Sequence, residues 1–188
     1  MALANDNVIT RNMSGSFGKQ VVFRNRNGKT IACKPPVFRK DLVATPVQVE
    51  NRTKFRIAQA YAKKAIQNEA VKLAYQAIAK PGQAAFNVAF TDAYLAPEIL
   101  GIVTDGYKGL PNDSILVRAL DDFKVTSVKV QVFSPSGALV EEGDAVEAET
   151  GIDWSYLATA TNPNLPGSTI KATAMDLPGN KTVLEITI

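Results

Sequence analysis

The chain changes its residue pattern at about Pro97, and this change limits the folds that are open to it. Between residues 45 and 95, apolar residues recur at the spacing of α-helices. After Pro97, short β-branched runs such as "VTSVKVQVF", "STIKATAM" and "KTVLEITI" alternate with turns such as "SPSG" and "LPGN". Short strands at this spacing are typical of an antiparallel sandwich. The sequence therefore predicts an α+β chain.

Three helices are predicted before the change of pattern. The first begins at "TPVQ", where Thr45 can cap the helix and Gln48 can complete a capping box. The second is capped by Asn68, and the third spans about residues 83 to 95. We therefore place a boundary near residue 97, with a basic hairpin-plus-helices domain at 1–97 and an acidic sandwich domain at 98–188.

The segment "VVFRNRNGKTIACKPP", residues 21 to 36, predicts a β-hairpin because it holds the turn signal "RNG". A two-residue loop would pair Arg24 with Ile31, whereas a three-residue loop would pair Phe23 with Ile31. The three-residue register is predicted, since burial of one face fixes register. It places four apolar residues on one face: Val21, Phe23, Ile31 and Cys33.

The chain has no histidine, and this excludes several kinds of active site. A Ser-His-Asp triad, a Cys-His pair and a histidine-based metal site all need that side chain. Cys33 is the only cysteine, so no intrachain disulfide can form, and we expect it to be buried rather than reactive. Trp154 is expected in the core. No catalytic residue, cofactor or metal site is predicted, and the chain is predicted not to be an enzyme.

The N-terminal residues "MALANDNVITRN" lack a cationic start followed by an apolar run, so no secretory signal is expected. No stretch approaches the ~20 consecutive apolar residues that a membrane-spanning helix needs. We expect a cytoplasmic location or a place in a virion or another assembly.

Charge is divided unevenly along the chain. Residues 1–80 hold fifteen Lys and Arg against four Asp and Glu, a net charge of +11. Residues 81–188 hold six Lys and Arg against fourteen Asp and Glu, a net charge of −8. This asymmetry predicts an electrostatic partner for one half of the chain or for both.

Two charged surfaces are predicted from this asymmetry. The basic set comprises Arg24, Arg26, Lys29, Arg39, Lys40, Arg52, Arg56 and Lys63. It could bind phosphates, with Phe38 nearby for stacking, it could dock on the acidic part of a neighbouring copy, or it could be a plain solvated face. The acidic set comprises Glu141, Glu142, Asp144, Glu147 and Glu149.

The acidic set could also bind calcium, because hard cations bind several oxygen ligands. Its spacing does not match a calcium-binding loop, so outward charges at a strand edge are predicted instead. Other polar residues are predicted to serve as turn or connection residues only: Asp121, Asp122, Asp176 and Asn180.

Residues 124 to 188 resemble a bacterial immunoglobulin-like domain through "VTSVKVQVFSPSGALVEEG", "WSYLATA" and "PGSTIKATAMDLPGNKTVLEITI". The resemblance implies that Trp154 and Tyr156 form the aromatic pair of a core strand. It implies a fold but no activity, because such sandwiches serve many functions. The fold expected for the whole chain is an N-terminal β-hairpin with two or three helices, followed by an antiparallel immunoglobulin-like β-sandwich.

The N-terminal segments "GSFGKQVVFRNRNGKT" and "TPVQVENRTKFRIAQAYAK" are similar to the start of small proteins of Bacteroidota and their phages. That family has no agreed function, so the similarity implies an architecture and not a role.

The function expected from these features is that of a non-enzymatic structural or assembly subunit. It would associate head to tail with copies of itself, in a virion, a filament or a similar assembly. Two alternatives are a nucleic-acid-binding module that uses the basic half and an adhesion or carbohydrate-binding module. The latter would need exposed aromatic residues on the sandwich, for which Trp154, Tyr156 and Tyr107 are available.

Overall fold

The computed structural model describes residues 2–3, 7–10, 12–26, 28–37 and 43–188. It divides into two compact units, Met1–Gln48 and Val49–Ile188. Helices and antiparallel strands occupy separate parts of the chain, so the predicted α+β class is confirmed. The change from helices to strands falls near residue 97 as expected, and the helices and the sandwich lie together in the second unit. A domain boundary at residue 97 stays a prediction.

The first unit contains a four-stranded antiparallel sheet. In sheet order its strands are β1 (Ala2–Leu3), β4 (Lys29–Cys33), β3 (Val21–Arg26) and β2 (Gly15–Phe17). Strands β3 and β4 form the predicted hairpin. The N-terminal segment therefore provides two short strands, β1 and β2, that flank the hairpin on both sides.

The hairpin adopts the register with the shorter loop, so the predicted register was wrong. Arg24 pairs with Ile31, and Val22 pairs with Cys33. The apolar residues of both strands are half-buried on either face, so neither face is buried strongly enough to fix the register. The turn decides instead, because Gly28 has a φ of +74° and Asn-Gly loops favour tight two-residue turns. Asn27 itself lies outside the described residues.

Three helices follow: α1 (Pro46–Ala65), α2 (Glu69–Ala77) and α3 (Ala85–Tyr94). The predicted capping box at the start of α1 is confirmed. The main-chain N–H of Thr45 donates to Gln48 Oε1 at 3.1 Å, and the N–H of Gln48 donates to Thr45 Oγ1 at 3.3 Å.

The helices of the second unit pack around Tyr75, which is fully buried. Ala62 of α1 and Ala89 of α3 are also fully buried in this cluster. Their small side chains let the helices approach closely. The ring of Tyr75 lies 4.4 Å, between centroids, from the ring of Phe123, which precedes the third strand of the sandwich.

Replacing Asn68 with alanine is expected to lower the free energy of unfolding by about 1 kcal/mol. The reason is that Asn68 Oδ1 accepts hydrogen bonds from the N–H groups of Ala70 and Val71 and so caps α2. Urea unfolding followed by circular dichroism measures the change. Gln67→Ala is the control, because its exposed side chain caps nothing. Equal losses in the two variants would contradict the assigned cap.

The sandwich consists of two four-stranded antiparallel sheets in the second unit. One sheet contains, in order, β5 (Glu98–Val103), β6 (Ser114–Leu120), β10 (Asp153–Leu157) and β9 (Val146–Glu147). The other contains β12 (Lys181–Thr187), β11 (Thr169–Asp176), β7 (Val125–Phe133) and β8 (Leu139–Asp144). With the eight strands lettered A, B, C, C′, D, E, F and G in chain order, the sheets read ABED and GFCC′, which is the order of an immunoglobulin-type sandwich.

The core of the sandwich follows the alternation seen in the sequence. From Val128 onward in β7, and throughout β11, every second residue is fully buried. The apolar residues among them are Val128, Val130, Val132, Ile170, Ala172 and Ala174. Trp154 and Tyr156 of β10 lie in the same core, as expected from the sequence. Alternate burial of this kind fixes the strand register in both sheets.

Candidate functional site

Six of the eight residues of the basic set are described, and all six are exposed. Arg24, Arg26 and Lys29 lie on the hairpin, whereas Arg52, Arg56 and Lys63 lie on α1. The basic set is therefore divided between the two units. Arg39 and Lys40 lie outside the described residues, as does Phe38.

The basic face of α1 borders an apolar groove, which we call the α1 groove. Arg52 and Arg56, one helical turn apart, line it together with Val49, Phe55 and Tyr94, and its volume is about 780 Å³. Phe55 is 51% exposed although its ring lies 4.8 Å from that of Phe90. Exposed aromatic and arginine side chains side by side are typical of protein interfaces.

Four of the five residues of the acidic set are exposed: Glu142, Asp144, Glu147 and Glu149. They lie on β8, on β9 and just after β9. A second groove of about 520 Å³, which we call the β8–β9 groove, is lined by Glu142, Asp144, Val146 and Leu157 among others. Val146 is 73% exposed, so the carboxylates border apolar surface here as well.

Glu141 does not belong to this surface, because it is only 7% exposed. Its Oε2 accepts four hydrogen bonds: from the Tyr156 hydroxyl at 3.0 Å, the Thr159 N–H at 2.7 Å, the Thr159 hydroxyl at 3.0 Å and the Ala160 N–H at 3.1 Å. Burial raises the pKa of Tyr156 to about 12, and its hydrogen bond to Glu141 adds to the rise. Glu141 therefore holds the segment that follows β10 against β8.

No ion pair in the described ranges joins the basic set to the acidic set. Glu142 pairs with Lys129 of the adjacent strand at 3.0 Å, and the hydrogen bond from Lys129 lowers the pKa of Glu142. On α1, the ion pair is Lys54 with Glu50, which belong to neither set. The two charged surfaces therefore do not neutralise each other through direct pairs within one described chain.

The aromatic residues considered for carbohydrate binding are not available for it. Tyr107, Trp154 and Tyr156 are all buried in the sandwich core. A sugar ring cannot stack on a side chain that packs between two sheets. The expected core position of Trp154 is confirmed, whereas Cys33 is half-buried rather than buried.

One group of three carboxylates in the described part of the chain is close enough together to hold a metal ion: Asp92, Asp121 and Asp176. The sequence pattern did not predict this group. Asp176 does form the predicted turn, since its Oδ1 accepts from the N–H groups of Gly179 and Asn180. Asp121 lies in the connection between two strands, as predicted, and it is half-buried. The available signal was Asp92, a carboxylate within the apolar run "AFNVAFTDAY" of α3.

The comparisons with known proteins provide no family. No family model matches the sequence, and no curated protein matches it. One similar solved structure is the crystal structure of an engineered protein from the Northeast Structural Genomics Consortium, with 17% sequence identity and a TM-score of 0.32. The match covers 57% of this chain and 30% of that one, and at this level it carries no argument.

Among the helices in the described ranges, none is both long and apolar enough to cross a bilayer. The protein is an α+β chain with an immunoglobulin-type sandwich, and the described cations of the basic set and four carboxylates of the acidic set are exposed.

Proposed function

We propose that this protein is a non-enzymatic structural subunit that associates head to tail with copies of itself. The basic face of α1 on one copy binds the acidic residues of β8 and β9 on the next. The observation that carries the proposal is the presence of two exposed surfaces of opposite charge that form no ion pair with each other among the described residues. Such surfaces steer and orient the encounter of two proteins.

The α1 groove supplies the apolar part of the contact. Phe55 and Val49 are each 51% exposed, and both line the groove beside Arg52 and Arg56. An aromatic anchor that loses its remaining water on binding contributes more than a charge at the rim. The arginines then set the orientation of the partner, and Phe55 supplies much of the affinity.

The β8–β9 groove supplies the opposite half of the contact. Val146 and Leu157 are 73% and 56% exposed, and Glu142 and Asp144 line the same groove. Strand β9 also lies at the edge of its sheet, so its outer main-chain groups face away from β10. Apolar surface bordered by carboxylates complements apolar surface bordered by arginines.

A contact between two different surfaces of the same chain repeats from copy to copy. It closes into a ring where the rotation between copies allows closure and grows into an open filament where it does not. A virion, a filament or a similar repeating assembly is the setting that such a contact fits.

Association is expected to weaken steeply as salt is added, since ions screen exposed charges over about 8–10 Å at physiological strength. Sedimentation velocity across a sodium chloride series measures this, and we expect assemblies at low salt and monomers at high salt. Sucrose at matched osmolarity is the control, because it adds no ions. A chain that stays monomeric at high protein concentration under every condition would defeat the proposal.

The second candidate function is nucleic-acid binding, which the six exposed cations of the described basic set favour. Labelled DNA or RNA added in the same salt series distinguishes the two. Retarded nucleic acid together with a monomeric protein would favour this candidate over self-association.

A further inference from the structure

Three carboxylates from distant parts of the sequence meet inside the second unit. Asp92 belongs to α3, Asp121 lies between β6 and β7, and Asp176 ends β11. Asp92 and Asp176 are each 1% exposed, and Asp121 is half-buried. One oxygen of each lies within 4.8 Å of the others. We call this group the aspartate cluster.

Asp92 is incompletely satisfied by hydrogen bonds. Its Oδ2 accepts from the Tyr75 hydroxyl at 2.5 Å, and that hydroxyl also contacts the Tyr61 hydroxyl at 3.1 Å. Its Oδ1 is buried and has no hydrogen-bonding partner among the described residues. A buried carboxylate oxygen without a partner is costly, because it loses its hydrogen bonds to water and gains none in the folded protein.

One donor beside the cluster is shared among several acceptors. The side-chain amide of Asn180 lies 2.7 Å from Asp176 Oδ2 and 3.1–3.4 Å from three main-chain oxygens, those of Asp92, Ala93 and Leu95. An amide nitrogen has two hydrogens, so it cannot satisfy four oxygens. None of the ion pairs in the described ranges includes a member of the cluster.

Burial raises the pKa of Asp92 to about 7, against the hydrogen bond from Tyr75, and the charge of Asp121 adds to the rise. Burial also raises the pKa of Asp176, against the hydrogen bonds that it accepts from Asn180 and Gly179.

We propose that the aspartate cluster is a calcium-binding site. The ligands of one ion lie at most twice the metal–oxygen distance apart, which is about 4.6–5.2 Å for calcium, and the three oxygens meet this limit. All the ligands are oxygens, as hard cations prefer, and calcium accepts irregular sets of 6–8 oxygens. A cavity of about 300 Å³ reaches one member of the cluster, Asp92, and is also lined by Thr91, Gln83 and Lys80.

Bound calcium would link α3 to the sandwich, since the ligands of the ion come from α3, from the β6–β7 connection and from the end of β11. A ligand that binds only the folded state stabilises it by mass action. Calcium is therefore expected to raise the thermal unfolding midpoint of the second unit, independently of any contact between copies.

Thermal unfolding of the full chain in calcium chloride or in EDTA tests the proposal. We expect calcium to raise the midpoint by several degrees in the wild type. Asp92→Asn should abolish this rise while the protein still folds, because its amide oxygen can accept the hydrogen bond from Tyr75 and carries no charge. Asp105→Asn, at an exposed position outside the cluster, is the matched control and should keep the full rise.

Terbium provides a second measurement, because an ion in this site lies beside Tyr75 and its emission can be excited through tyrosine. We expect tyrosine-excited terbium emission from the wild type, and added calcium should remove it by displacing terbium. Asp121→Asn should lose this emission. This variant also tests the proposal if Asp92→Asn fails to fold. An unchanged wild-type midpoint in calcium, or an Asp92→Asn protein that keeps the whole rise, would overturn the proposal. So would wild-type protein that gives no tyrosine-excited emission.

Discussion

Replacing Glu141 with alanine is expected to lower the free energy of unfolding by about 3 to 5 kcal/mol. The substitution removes one carboxylate oxygen that accepts from Tyr156, from the N–H and hydroxyl of Thr159 and from the Ala160 N–H. The Tyr156 hydroxyl would then lie in the core without this partner, and the Ala160 N–H would lose it at a half-buried position, whereas the donors of the exposed Thr159 can bind water. Each buried group left unpaired costs free energy. Urea unfolding followed by the fluorescence of Trp154 measures the loss.

The neighbouring residue provides the matched control. Glu142 is exposed and pairs with Lys129 on the surface, so Glu142→Ala should leave the free energy of unfolding nearly unchanged. The loss of free energy of unfolding for Glu141→Gln should lie between those of Glu141→Ala and Glu142→Ala, because glutamine keeps one acceptor oxygen and nearly the same volume. Similar losses for Glu141→Ala and Glu142→Ala would contradict the role assigned to the buried carboxylate.

Reversing the charge of the α1 groove is expected to weaken self-association at least about a hundredfold. In the double variant Arg52→Glu, Arg56→Glu, two carboxylates would face the acidic residues of β8 and β9 on the next copy. Like charges brought together at an interface cost several kcal/mol, and each 1.4 kcal/mol is a factor of about ten in affinity. Sedimentation equilibrium at low salt measures the change.

A second double variant controls for net charge. Lys108→Glu with Lys181→Glu changes the total charge by the same amount on other elements, and both residues are exposed. This variant should associate as the wild type does. If it loses association to the same degree, net charge and not the α1 groove governs the contact between copies.

Much of the fold could be predicted from the sequence, because local signals and burial agree there. Strands β7 and β11 alternate apolar and polar residues, and each buries its apolar face completely. The start of α1 carries a capping box that needs only two residues of the same turn. Where a pattern depends on neighbours in sequence, it predicts the structure well.

The hairpin register could not be predicted from face segregation, because the sheet of the first unit leaves both of its faces half-buried. The burial of Glu141 could have been predicted. Adjacent residues on a strand point to opposite faces, so Glu141 and Glu142 of β8 cannot both face water if one face packs on the core. Both residues were nevertheless predicted to be exposed.

The aspartate cluster could not be predicted, since its members are far apart in sequence and each has a sufficient local explanation. Asp176 is a turn former, and Asp121 accepts from the N–H groups of Phe123 and Lys124. Only the packing of α3 against the sandwich brings Asp92 to them. Clusters of this kind depend on tertiary structure, and a local pattern does not indicate them.

Mixing two charge-reversed proteins tests the head-to-tail contact most directly. One carries Arg52→Glu and Arg56→Glu, and the other carries Asp144→Lys, Glu147→Lys and Glu149→Lys, which leaves on the acidic surface only Glu142, paired with Lys129. Each alone presents two surfaces of the same sign, so each should sediment as a monomer at low salt. The equimolar mixture pairs opposite signs at every contact and should regain assemblies of wild-type mass. A mixture that stays monomeric, or a single reversed variant that assembles as the wild type does, would contradict the proposed contact.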